Sequence, residues 1–167
     1  MGLLSFIKGA GEKLFGKGEA QAAQAAAAAD PSPANMEAAN NAAAAAIESY
    51  IASMNLNAAG LAVTVDGASG TATVMGLAPD QATREKIVLC CGNVHGIDKV
   101  DDQMTTDEPV DESQYYVVVS GDNLSKISKE FYDSPNKYMA IFEANKPMLS
   151  HPDKIYPGQV LRIPAEA

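Results

Sequence analysis

Apolar positions along the chain change their period several times, and each change predicts an element. Leu3, Ile7, Ala10 and Leu14 recur at helical intervals with Lys8, Glu12 and Lys13 off that face, so residues 1–16 read as a short amphipathic helix. A helix this short is marginal alone and is expected to dock on the domain that follows. Over 17–33, "KGEAQAAQAAAAADPSP", the pattern vanishes: alanine favours helix, but no large side chain is available to bury and two prolines interrupt. This stretch reads as a partly helical, mobile linker. Ser32 can then cap a helix opened by Pro33, and Met36, Ala43, Ile47, Tyr50, Ile51 and Met54 keep helical spacing over 34–55.

The period next falls to two. Leu61, Val63 and Val65 alternate with small or polar residues, "DGASG" turns the chain, and "TATVMG" returns as a partner strand. "APDQATREKIVLCCG" is a helix with Pro79 near its start and Gly92 where a left-handed cap would sit. "KVDDQMTT" closes the unit as a weak strand, giving helix, strand, strand, helix, strand over 34–105. An acidic, proline-bearing linker follows at 106–113. Beyond it come strand 115–119, helix 123–132, a second helix opened by Ser134-Pro135 with Tyr138, Ile141, Phe142 and Asn145 at helical spacing, and a Pro-Gly turn into a last strand, "IYPGQVLRIP". The fold class is therefore α+β: two small domains, αββαβ over 34–105 and βααβ over 114–165, behind an N-terminal amphipathic helix and an Ala-rich linker.

Charge narrows the partners. A net charge of −9 and a pI near 4.6, with no Lys/Arg cluster, repel phosphate backbones, so nucleic acid is not an expected partner. The same field gathers cations without choosing among them. Lys8, Glu12 and Lys13 interrupt the opening apolar run before an export signal could be complete, so a cytoplasmic protein is expected. No run approaches the ~20 apolar residues that span a bilayer, and Phe6 stands where myristoylation after Gly2 would want Ser or Thr. Cys90 and Cys91 are neighbours, too close for an unstrained disulfide, with one expected in the core and the other at its edge.

Three stretches carry a resemblance to known families. "SGDNLSKISKEFY", "IFEANKPML" and "KIYPGQVLRIP" resemble a LysM module over about 114–164. "GTATVMGLAPDQATREKIVLCCGNVHGIDKVDDQM" is similar to a BON domain, extending back through helix 34–55. The opening "MGLLSFIKGAGEKLFG" resembles the start of small bacterial cytoplasmic potassium-binding proteins built from these two domains, with the Ala-rich stretch 17–46 expanded. The resemblance implies a non-enzymatic, monomeric potassium sensor or buffer that compacts when the ion binds.

A potassium ion needs only uncharged oxygens turned onto one point, which leaves glycine punctuation rather than a side-chain signature. "CGNVHGIDKV" has that form: a helix ends with unpartnered carbonyls, and Gly92 and Gly96 permit unusual dihedrals. On residues alone it reads first as a helix cap and turn. The resemblance makes the backbone carbonyls of Ile7, Ala10, Gly92, Val94 and Ile97 the ion ligands, from the N-terminal segment and this loop.

Competing chemistries lack their signatures. Cys90, Cys91 and His95 are close in sequence but follow no zinc-ligand spacing, and nothing supplies a Cys-His hydrolase with an orienting third group. Asp98, Asp101, Asp102, Asp107, Glu108, Asp111 and Glu112 lack the alternation and central glycine of a calcium loop. For the LysM module, the resemblance implies a groove between Gly121, Asp122, Asn123, Leu124 and Asn145, Lys146, Pro147, Met148, open to a glycan or a protein partner. The same residues could instead cap helices. The rival to an ion sensor is a cell-envelope adaptor that holds peptidoglycan in that groove.

Overall fold

The computed structural model describes residues 2–6, 9–107 and 112–165. Strand β1 (Gly2–Ser5) leads to a 3-10 turn at Leu14–Gly16, then helices α1 (Gly18–Ala29) and α2 (Pro33–Ser53). Strands β2 (Ala59–Asp66) and β3 (Thr71–Ala78), helix α3 (Gln81–Gly92) and strand β4 (Lys99–Thr106) complete the first unit. The second is β5 (Gln114–Val117), α4 (Leu124–Tyr132), a 3-10 turn at Pro135–Lys137, α5 (Tyr138–Ala144) and β6 (Val160–Ile163).

The first sheet has the order β1-β4-β3-β2. β2 and β3 are the antiparallel hairpin, while β3 and β4 run parallel, from Thr71 beside Lys99 to Ala78 beside Thr106, with α3 as the crossover. Alternate residues Val63, Val65, Ala72, Val74, Val100 and Met104 point into one core with Ile47 and Ile51 of α2 and Ile87, Val88 and Leu89 of α3. Strand period and helix period thus meet on one face of the sheet. The caps are local: Ser32 Oγ accepts from Asn35 N, Asp80 Oδ1 from Thr83 N and Asn123 Oδ1 from Lys126 N. In the second unit the antiparallel β5–β6 pair covers α4 and α5 around Leu124, Ile127, Ile141, Phe142, Leu161 and Ile163.

Three expectations are corrected. The N-terminal segment is not a helix: Gly2–Ser5 pairs antiparallel with β4, Gly2 opposite Asp102 and Ser5 opposite Lys99. A strand wins because the open edge of β4 offers unpaired main-chain groups, whereas an isolated short helix broken by Gly9 and Gly11 offers nothing comparable. The burial also follows the strand period, with Leu4 packed against the core and Phe6 buried while Leu3 is exposed.

The Ala-rich stretch is likewise more ordered than a linker. Its helix α1 packs along α2 with Ala20 buried, because alanine lets two backbones approach closely even though no large side chain interlocks. Third, Gly92 is the last residue of α3, and the positive φ falls at Gly96 (109°). Gly92 serves packing rather than an unusual dihedral. The Pro157-Gly158 turn does show the expected geometry, with φ 88° at Gly158.

Candidate functional site

The end of α3 and the loop 93–98 are gripped by the N-terminal segment. Phe6 N donates to Asp98 O (2.7 Å), Glu12 N to Asn93 O (2.8 Å), and His95 N to Glu12 O (2.9 Å). Between those anchors the chain approaches so closely that side chains are excluded. A methyl group on Gly92 would lie 2.1 Å from the Phe6 ring, and one on Gly11, where φ is 102°, 2.4 Å from Asn93 O. Gly96 meets the ring of Phe15 less tightly, at 3.3 Å, and there the φ of 109° is what favours glycine. Three glycines thus let two distant segments close on each other.

Of the five predicted carbonyl ligands, Ile7 lies outside the described residues. Ala10 sits in the turn after β1, Gly92 ends α3, and Val94 and Ile97 are buried in the loop. Val94 O accepts Ile97 N at 3.0 Å, a tight loop bond. Among the described residues the carbonyl oxygens of Ala10, Gly92 and Ile97 accept no main-chain N–H outside regular helices and strands. Beside the loop opens a cavity of about 850 Å³ between α1, α2 and the β2–β3 turn, with Phe15, Ala28, Ala43, Val65 and Ile97 on its walls.

Both cysteines are in the core, not one at its edge. Burial pushes the Cys90 thiol up to about 12 and raises Cys91 well above the usual thiol range, so neither is an available thiolate. Among the described residues no three His, Cys, Asp or Glu side chains cluster as a metal centre. None of the described helices is long and apolar enough to cross a membrane.

The loop also touches the second unit, through residues that pattern alone did not single out. Asn93 Nδ2 donates to Val160 O and Val160 N donates to Asn93 Oδ1, both at 2.8 Å, so the side-chain amide mimics a strand partner at the start of β6. One turn into α3, buried Glu85 accepts Ser113 N (2.8 Å) and Gln81 Nε2 (3.1 Å) on Oε1, while Oε2 pairs with Arg162 Nε. Burial by itself would raise this carboxyl; the hydrogen bonds from Arg162, Ser113 and Gln81 outweigh that and hold it below the ordinary value of 4.5. The signal available in sequence was modest: Gln81 and Glu85 fall in register with Val88 and Leu89 on the helix face that should be apolar.

The LysM groove residues divide. Asp122 accepts Tyr116 Oη (2.7 Å) and Val119 N (3.0 Å), Asn123 caps α4, and Leu124 is core. Asn145 is buried and clasps the Arg162 main chain, accepting its N–H and donating to its carbonyl, both at 2.8 Å. Lys146 pairs with Glu143 at 2.7 Å and lies 4.6 Å from the centre of the Phe142 ring. Met148 packs against the core of the first unit. Gly121 accepts Lys126 Nζ on its main-chain carbonyl at 2.8 Å. One wall of the groove is therefore partly spent on internal struts and on docking.

An αββαβ unit whose last helix is bolted to a βααβ unit defines a two-domain BON–LysM protein: the BON domain family matches residues 38–108 and the LysM domain family residues 116–164. The potassium binding protein Kbp of Escherichia coli O6:H1 is 57% identical over 104 residues, covering 62% of this chain and 70% of that protein. The chain belongs to the Kbp family. An uncharacterized protein of Deinococcus radiodurans is 47% identical over 49 residues, 29% of this chain and 19% of its own length.

Proposed function

We propose that this chain is a potassium-binding protein, a cytoplasmic sensor or buffer and not an enzyme, holding its ion with backbone carbonyls of Ile7, Ala10, Gly92, Val94 and Ile97. The reading rests chiefly on one observation. Ala10, Gly92 and Ile97 present carbonyl oxygens without main-chain donors, among the described residues, where three glycines bring the N-terminal segment onto the loop. A dehydrated potassium ion is stabilised by such dipoles, and the shared site would favour the closed arrangement over an open one. The Kbp relative, named for the same ion, supports it.

In this mechanism the protein's own groups do the positioning. Phe6, wedged on Gly92, and the paired main chains of Glu12 and Asn93 hold the two carbonyl-bearing segments in register. Asn93 then joins the loop to β6, so ordering the loop also orders the LysM domain on its neighbour. The expected result is a melting temperature that rises with potassium chloride over sodium chloride at constant ionic strength, with amide shifts moving at 5–12 and 91–98. Equal responses to both salts, or unmoved amides there, would remove the proposal.

A further inference from the structure

Among the described residues, one buried side-chain oxygen has no hydrogen-bond partner: Asp98 Oδ1. A carboxylate oxygen shut away from water without a donor is costly, so it marks an interaction that the described residues do not supply. The residue is also held in place. Its carbonyl accepts Phe6 N at 2.7 Å and its N–H donates to Gly70 O at 2.9 Å, tying it to β1 and to the tip of the β2–β3 hairpin. Both junctions are main-chain bonds that fix where the side chain starts.

Oδ1 lies against the tip of the β2–β3 hairpin, with one main-chain carbonyl near it. A methyl group on Gly70 would lie 2.9 Å from Asp98 Oδ1 and 3.5 Å from the Gly96 carbonyl oxygen, so the bare Cα, with φ 66°, lets both oxygens come close to the hairpin tip. Both oxygens lie within 3.5 Å of one point beside Gly70, so a cation close by would be attracted by both. Among the described residues no Lys or Arg forms an ion pair with Asp98.

We propose that Asp98 is the charge-bearing residue of the ion site, its carboxylate adding a full negative charge beside a cage otherwise made of neutral carbonyl dipoles. The inference rests on the potassium reading above and assigns this chain a determinant of affinity that backbone oxygens alone would not provide. Asp98 follows Ile97 directly, so the charge acts at close range and is little screened by salt. It favours cations in general, while the size of the carbonyl cage chooses among them.

The test is Asp98→Asn, which preserves shape and removes charge. Potassium chloride titrations at constant ionic strength, followed by calorimetry and by amide shifts at Gly70 and Gly96, are expected to show affinity about tenfold weaker than in the parent. Without potassium, the variant should melt at or above the parent's temperature, because the orphaned charge is gone. Equal potassium affinity in both proteins would overturn the proposal. So would a variant that melts lower without potassium, which would make Asp98 a structural strut. A parent that ignores potassium altogether defeats the underlying reading as well, and that outcome is visible before any variant is compared.

Discussion

Gly92 shows how a single missing side chain lets two distant segments close on each other. Its Cα is the floor on which the Phe6 ring lies, so Gly92→Ala must push the ring and the start of the N-terminal segment away. Overpacking of this kind costs about 2 kcal/mol, and the variant is expected to melt several degrees lower and to lose the preference for potassium over sodium. The cysteines give a prediction of the opposite sort. With both thiols buried and held protonated, Cys90 and Cys91 are expected to stay unmodified by a thiol reagent at pH 8 in the folded protein and to react promptly in denaturant. Rapid labelling of the native state would show that α3 is packed less tightly than described.

At the scale of elements, α3 is the spine. Its inner face fills the BON core, its last residue receives Phe6, and Glu85 and Asn93 fasten the LysM domain to it. Asn145 extends the same support from the far side by clasping the main chain of Arg162, so a strut inside the LysM domain aims the guanidinium at Glu85. Glu85→Ala leaves Arg162 without its partner in a site where both side chains are largely buried, a loss of about 3 kcal/mol. Asn93→Ala removes two neutral hydrogen bonds and should cost about 2 kcal/mol. Both variants are expected to broaden interdomain amide signals while the LysM core, which has its own apolar cluster, keeps its chemical shifts.

For the whole molecule, the domain interface depends on an ionised carboxylate, and that fixes the sign of its acid response. Glu85 has a lower pKa folded than unfolded, so its stabilisation is fully present above the unfolded value, near 4.5, and is lost as pH falls through the folded one. Small-angle scattering is expected to show a constant radius from pH 7 to pH 5 and expansion below about pH 4.5. In Glu85→Gln that acid-dependent step should be missing from an already looser molecule. An expansion at the same pH in parent and variant would assign the transition to other carboxylates.

Much of this architecture was legible in the residues. Alternation at Val63 and Val65, the helical spacing of Ile47 and Ile51, the caps at Ser32 and Asn123 and the turn at Gly158 are local effects, set within a few bonds, and the structure has each of them. The loop after α3 could also be singled out, because glycines flank the end of a helix. What pattern could not settle was the state of residues 2–5, whose helical spacing yields to the open edge of β4, a partner nearly a hundred residues away. The same holds for Glu85, Asn93 and Asp98. Each looks like an ordinary polar residue until another segment arrives to pair with it, or, at Asp98, to enclose it without a partner. Local order was thus determined by the sequence itself. The proposed ion site and the domain interface were decided by tertiary structure, because long-range hydrogen bonds and close backbone approaches exist only once distant segments are brought together.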